Sequence, residues 1–423
     1  MNAIAPVGIS AAAFLGRGKH DTPERRAAAD VLTQAGLPRA GVEAWKYTSL
    51  RALADVPYAT PPAQVDGAEV ARLLAMVETV SGLGDGAGRV VLVNGRFDAA
   101  LSRLPDGVRV GTFAADPVFA DWIDPRGDVG TALNTLMAED GVSLHVDTDV
   151  DAGTMLLVSI GVSHDDAPIS FHPRHRMTLA RGARLAVLEA TVGTGNYLHN
   201  PVFEVDVADS AHLTHARLQA EGEKASQIAV THARVASAGL YDSFNLTLGA
   251  VLSRHEVHAA LTGERACVHV NGAQLLDGRQ HGDLSSIITH AAPGCVSRQT
   301  VKNVLAGHAR GVFQGKIHVE RIAQQTDGYQ MNQALLLSDT AEIDAKPELE
   351  IYADDVKCSH GATVGAIDPD QLFYLRSRGI ALADARSMLI RAFLHDVVHL
   401  LEDTRLRDSL DLAVEAWWNQ RNA

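Results

Sequence analysis

Residues 239–266, GLYDSFNLTLGAVLSRHEVHAALTGERA, hold two cycles of the pattern that decides the fold. Each cycle opens at a small or turn-forming residue and runs on through alternating apolar and polar positions, the signature of a strand with one buried face. The cycle continues on both sides. Segments open at Ser210, Ala225, Gly239, Arg254, Ala266, Gln280, Cys295, Ala309, Thr326 and Ala341, spaced 12 to 17 residues apart with no helical period between them. That recurrence excludes βαβ units and leaves a β-solenoid or a large β-sandwich. Aromatic residues make up only 5 % of the chain, too few to fill a wide sandwich, so the solenoid is expected. Each coil of a solenoid buries its inward face only against the next coil, so the ends need covering, and a bare edge invites pairing with another chain.

Working outward, the strand pattern spans about Leu144 to Asp368. Helical stretches flank it and are expected to cap its two ends. Thr22-Pro23-Glu24 combines a hydroxyl N-cap, proline at the first helical position and a carboxylate near the positive end of the dipole. Gly36 and Pro38 stop that helix. A second helix is expected over Ala68–Val80, a strand over Arg89–Val93 ending in the turn Asn94-Gly95, and a short helix over Val129–Ala138. The last stretch, Leu382–Ala423, carries an apolar stripe of Met388, Leu389, Phe393, Leu394, Val397, Val398 and Leu401. Arg386, Arg391, His395, His399 and Glu402 fall mainly on its other side. Such a stripe caps its own core or docks a partner. Three units follow: a mostly helical 1–140, a β-solenoid 141–368 and a helical 369–423.

Composition excludes several classes of function. The chain has 423 residues and a formal charge of −14, which argues against binding duplex nucleic acid or an anionic membrane. Stacking platforms for single strands are scarce. Three cysteines, Cys267, Cys295 and Cys358, cannot build a disulfide framework, and no C-x-x-C occurs. The first residues, Met1 to Leu15, lack a basic leader region and are broken by Pro6 and Gly8, so they read poorly as a signal peptide. A cytoplasmic protein is expected.

Most chemical motifs fail on spacing. Gly311-Val-Phe-Gln-Gly315-Lys316 is one residue short of a P-loop, with Ile317 where Ser or Thr must hold magnesium. His255-Glu256-Val257-His258 has one spacer too few for a zinc-protease helix and reads as strand. His395 and His399 have i, i+4 spacing but no evident third ligand, and read as a solvated face. His172 and His175 sit in a proline-containing loop and read as structural. Cys358 and His360, two apart on a strand, put a thiol and an imidazole on one face, a pair suited to iron–sulfur species, zinc or copper(I). On spacing alone a buried cysteine beside a satisfied histidine is the better account, since Val356 shares their parity.

Residues 341–365, AEIDAKPELEIYADDVKCSHGATVG, resemble the shared signature of the SufB/SufD family of iron–sulfur cluster assembly proteins. Residues 332–338, NQALLLS, and 375–380, LRSRGI, with the helix after them, are similar to the same family's later segments. Residues 43–50, EAWKYTSL, resemble its SufD-like branch. The resemblance implies a right-handed parallel β-helix flanked by helical domains. It implies a non-enzymatic subunit that pairs with a SufB-like paralogue along the β-helix edge and receives a SufC-like ATPase through its C-terminal helices. Cys358 and His360 then match the interface where a nascent cluster forms, as tentative metal ligands. Leu375, Arg378, Met388, Leu389, Phe393, Leu394 and Val397 match the ATPase-docking region. No cofactor held tightly by the isolated chain is implied. The nascent iron–sulfur cluster, and with it reduced flavin, belongs to the assembled complex. Cys267 and Cys295 are expected as plain buried thiols, and a homodimer is expected when the paralogue is absent. The alternative is a stand-alone enzyme on a β-solenoid with a histidine-ligated metal.

Overall fold

A computed structural model describes residues 8–84, 86–164 and 167–422. The expected segments around residues 1–7 and at Ala423 lie outside the described residues. The chain is mainly β, a parallel β-solenoid of about eight turns with helices before and after it. Leu213 pairs with Tyr241 and Tyr241 with Val268, turns of 28 and 27 residues, while Gln330 pairs with His360, a turn of 30. The recurrence in the sequence is therefore half a turn. Strands alternate between a ten-stranded and an eleven-stranded sheet, and the expected segment starts fall within two residues of the strand starts.

Several corners leading into the ten-stranded sheet hold one non-glycine residue in the left-handed backbone region: Ser210, Ala238, Arg265 and Gln325. Non-glycine residues adopt that conformation at a cost of roughly 1–2 kcal/mol each. Because the corner tolerates so many residue types, the turns repeat in shape without repeating a motif.

Inward side chains of both sheets form one apolar lumen, including Val187, Leu213, Tyr241, Val257, Val268 and Ile288. Along the middle turns the lumen also holds a polar cluster. Arg217 forks onto Glu189 with contacts of 2.6 and 3.0 Å, and His215 Nε2 lies 2.9 Å from the same carboxylate. All three are buried. The guanidinium and imidazole hold Glu189 far below the usual carboxylate range against the opposing effect of burial.

Six longer helices are numbered here in chain order: α1 (Pro23–Ala35), α2 (Gly67–Ser81), α3 (Val129–Met137), α4 (Pro369–Ser377), α5 (Leu382–Val398) and α6 (Thr404–Asn422). Thr22, Asp66 and Asp128 cap the first three by accepting backbone N–H bonds, as Ser, Thr and Asp do at helix starts. The expectation that these helices cap the solenoid ends is corrected. Helices α2, α5 and α6 lie along the outer face of the ten-stranded sheet, with Leu73, Leu394, Val397 and Leu410 packed on Leu188, Leu218 and Leu246. The N-terminal helices bury Leu32, Leu133 and Leu136 with Leu198 and Ile228 of the other sheet. The reason is the outward apolar lane of each sheet, which the helices bury. Strands Gly88–Val93 and Val108–Thr112, from the stretch read as N-terminal, hydrogen-bond into the two sheets. No described helix is long and apolar enough to cross a membrane.

Candidate functional site

The two ends of the solenoid differ. At the first, antiparallel strands Arg96–Phe97 and Val108–Thr112 close the sheets. At the last, Glu342–Ile351 and Val356–Gly365 each pair with a preceding strand on one side only. An edge of this kind presents a row of N–H and C=O groups able to extend the sheet into another chain. Ile351, Tyr352 and Val364 stand exposed along it.

Cys358 and His360 lie in this final strand. Cys358 is in register with Gly328, which aligns with Ser297 and then with Val268 of the lumen. Both side chains therefore belong to the lane that lines the lumen, at its open end. Cys358 is half-buried beside Ile317, Val319 and Ala353, and burial pushes its thiol up. His360 is exposed. Beneath it lies Gln330, fully buried, with neither amide atom hydrogen-bonded. Two residues on, Asn332 accepts a 2.8 Å bond from Asn303, while its own amide nitrogen has no hydrogen-bond partner. Gln330 and Asn332 escaped the sequence analysis. Their signal was the same i, i+2 parity that joins Cys358 to His360, applied one turn earlier.

The stretch 43–50 lies across the outer face of the eleven-stranded sheet towards the same end. Arg254 is packed 4.0 Å from the centre of the Trp45 ring and donates a 2.9 Å bond to the Ala44 carbonyl. The same guanidinium contacts Asp283, and Glu256 at 2.7 Å. Thr48 bonds His281 at 2.9 Å and also contacts Asp283. Glu43 pairs with Lys346 on the edge strand, which raises that ammonium.

The residues expected to dock an ATPase divide into two groups. Leu394 and Val397 are buried in the chain's own core and present nothing outward, a correction to their expected role. Leu389 is half-buried, and so is Phe393, over whose ring Lys302 lies at 4.5 Å. Met388 is half-exposed; on α4 Leu375 is half-buried and Arg378, just past its end, is exposed over Tyr374 at 4.9 Å. Phe373, 74 % exposed, and Tyr374 extend this apolar surface and lie within the segment 372–380 expected to dock the ATPase.

Other candidates resolve cleanly. Residues 311–316 lie within a strand, so their N–H groups belong to a ladder and not to a phosphate loop. His255 and His258 sit three apart on a strand and point to opposite faces. Burial pushes His172 and His175 down to about 3 each; His172 meets Asn200 at 3.0 Å and His175 stacks on Phe203. Cys295 is fully buried and donates to the Gly263 carbonyl. Cys267 is only half-buried, unlike the expectation, and has a histidine beside it. His395 and His399 do find a third ligand: Asp411 of α6 lies 3.2 Å from His399, and one ligand atom from each of the three falls within a 4.8 Å group. The sequence missed Asp411 because it comes from a different helix.

Comparison with known proteins adds two domain families. Residues 162–393 match the SUF system FeS cluster assembly SufBD core domain, and residues 22–157 match the SufBD protein N-terminal region. The chain is 32 % identical to iron–sulfur cluster assembly protein SufD of Escherichia coli, over 94 % of this chain and 93 % of that one. It is 30 % identical to an iron–sulfur cluster assembly SufBD family protein of Synechocystis, over 89 % and 86 %. It is 34 % identical to the chloroplastic protein ABCI7 of Arabidopsis thaliana, over 73 % and 68 %.

Proposed function

Because this chain belongs to the SufBD family of iron–sulfur cluster assembly proteins, we propose that it is a non-enzymatic scaffold subunit of a SUF complex. The observation that carries the reading is the one-sided pairing of strands Glu342–Ile351 and Val356–Gly365, with His360 and Cys358 at the mouth of the lumen between them. A SufB-like paralogue would extend both sheets across that edge. Its approach would enclose His360 and Cys358 and raise the strength of any bond they make, since exclusion of water lowers the local dielectric. Neutral imidazole accepts a bond to iron or donates one to sulfide, and a thiol must lose its proton to ligate. The nascent cluster is cargo at this site, with no cofactor held tightly by the isolated chain and reduced flavin, where present, held by the assembled complex. A SufC-like ATPase would meet α4 and the exposed start of α5, through Phe373, Tyr374, Leu375, Arg378 and Met388, with Leu389, Phe393, Leu394 and Val397 supporting from beneath. Without the paralogue the same edge would pair two copies of this chain. The three units 1–140, 141–368 and 369–423 would then serve as brace, scaffold and docking arm in the cytoplasm.

The test is co-expression with the SufB-like and SufC-like proteins of the same organism, followed by size-exclusion chromatography. Co-elution, with the ATPase lost on truncating 382–423, supports the reading; elution of the chain alone overturns it. The second reading, a stand-alone metal-dependent enzyme, is favoured by the grouping of His395, His399 and Asp411. A tightly held stoichiometric metal in the purified chain, together with failure to form the complex, would favour it.

A further inference from the structure

Cys267 belongs neither to the open edge nor to the core. Cys267 and His269 start the strand Cys267–Leu276, and their parity is opposite to that of Val268 and Val270 in the lumen, so both face outward from the ten-stranded sheet. Cys267 Sγ lies 3.5 Å from His269 Nε2. His269 Nδ1 lies 3.3 Å from Asp242 Oδ1, the residue beside it in register on the neighbouring strand Leu240–Thr247. Asp242 is only 1 % exposed, and neither of its oxygens has a hydrogen-bond partner of good geometry. A buried carboxylate in that position requires a cation, and the imidazole is the group that can supply it. We propose that Cys267, His269 and Asp242 act as nucleophile, base and orienting carboxylate, making Cys267 the site at which this chain reacts covalently with small disulfides.

The order of contacts is that of an activated thiol: nucleophile against base, base against a fixed carboxylate. Burial works against a charged imidazole here, yet Asp242 and Cys267 together push His269 up to about 10. An imidazolium held beside sulfur stabilises the thiolate. Burial pushes the thiols of Cys295 and Cys358 up. Around the pair stand His212 and, bonded to it, Arg184, both lining a cleft shared with Glu402 from the turn between α5 and α6 and with Arg405 at the start of α6. Arg298, in register with His269, pairs with Asp327 on the other side.

In the step itself the thiol proton resides on His269 Nε2 while Nδ1–H faces the Asp242 carboxylate, whose charge balances the imidazolium. The Cys267 thiolate attacks one sulfur of R–S–S–R; the Cys267–S–S–R bond forms as the S–S bond breaks, and R–S⁻ leaves. One disulfide replaces another, so no outside oxidant is needed. The inference is independent of the scaffold reading.

The test treats the full-length chain with limiting dithiobis(nitrobenzoate), itself a small disulfide, and maps the label by peptide mass spectrometry. The expected result is first labelling at Cys267, with a rate at pH 6 at least about tenfold above that of a free cysteine thiol. His269→Gln should remove that advantage and restore the steep rise of rate with pH typical of an unassisted thiol. Asp242→Asn should lose part of it and Asp242→Glu recover it; this pair carries the test should His269→Gln fail to fold. First labelling at Cys358 or Cys295 overturns the proposal. So does an unchanged rate and pH profile in His269→Gln, or in Asp242→Asn.

Discussion

His360 stands in register on Gln330 across the last pair of strands, an exposed imidazole above a fully buried amide that makes no hydrogen bond. An unsatisfied buried polar group costs about 1–3 kcal/mol. Deeper in the lumen Glu189, Arg217 and His215 are internally paired. The uncompensated amide lies one turn below the open end, where an incoming chain or cargo would meet it.

Gln330→Leu should therefore leave stability unchanged or raise it by up to about 1 kcal/mol, while lowering cluster yield in the reconstituted complex. His360→Ala should preserve the circular dichroism melt and complex formation but slow reconstitution. Wild-type reconstitution kinetics in His360→Ala would remove His360 from the mechanism.

Leu394 and Met388 share a helix but not an environment. Leu394→Ala leaves a cavity between α5 and the sheet and should cost about 2–5 kcal/mol, read as a lowered midpoint in urea. Met388→Asp, on the exposed side, should leave the midpoint in place and weaken capture of the SufC-like ATPase in a pull-down. Equal ATPase binding by Met388→Asp and wild type would exclude the start of α5 from that surface.

Trp45 covers a guanidinium that contacts two carboxylates. Trp45→Ala should destabilise by about 3–5 kcal/mol through lost packing and hydration of that cluster. Amide hydrogen exchange should locate the loosening at Leu252–Leu261 and His281–His290. Unchanged protection in both strands would show that the 43–50 segment does not brace the sheet.

The pH response follows from buried histidines. His172 and His175 sit at about 3 in the folded chain against an ordinary 6.5. Below 6.5 the unfolded chain takes up protons that the folded chain refuses, so stability falls as pH drops from 6.5 towards 3. Each contributes up to about 1.4 kcal/mol per pH unit. Denaturant titrations from pH 7 to pH 4 should show this slope, and His172→Asn should reduce it. A stability independent of pH over that range would contradict both assignments.

His395, His399 and Asp411 offer two imidazoles and one carboxylate, a donor set suited to zinc or cobalt(II). Titration with cobalt(II) should give one equivalent of visible d–d absorption that Asp411→Asn diminishes. Removing metal with a chelator should leave complex formation intact. Dependence of the complex on added metal would move these residues into the assembly mechanism.

Strand positions, the capped helices at Thr22-Pro23 and the 341–365 signature were all legible in the sequence, because each rests on local chemistry: alternation, a capping hydroxyl, a contiguous motif. The choice of solenoid over sandwich was legible through the shortage of aromatics and through the resemblance carried by residues 341–365. Leu394 and Met388 looked alike in the stripe, since periodicity ranks residues by face but does not say how wide a face the neighbouring sheet covers.

What the sequence determined by itself was the half-turn of 12 to 17 residues and the parity that puts Cys358 and His360 on one face. Tertiary structure decided everything that depends on stacking one turn upon another. It brought Asp242 beside His269 and Gln330 beneath His360 across 27 and 30 positions of chain, and it set Asp411 against His399 from a separate helix. A solenoid converts register between distant strands into side-chain contact, and register is fixed by the whole ladder of backbone hydrogen bonds, not by the residues that meet.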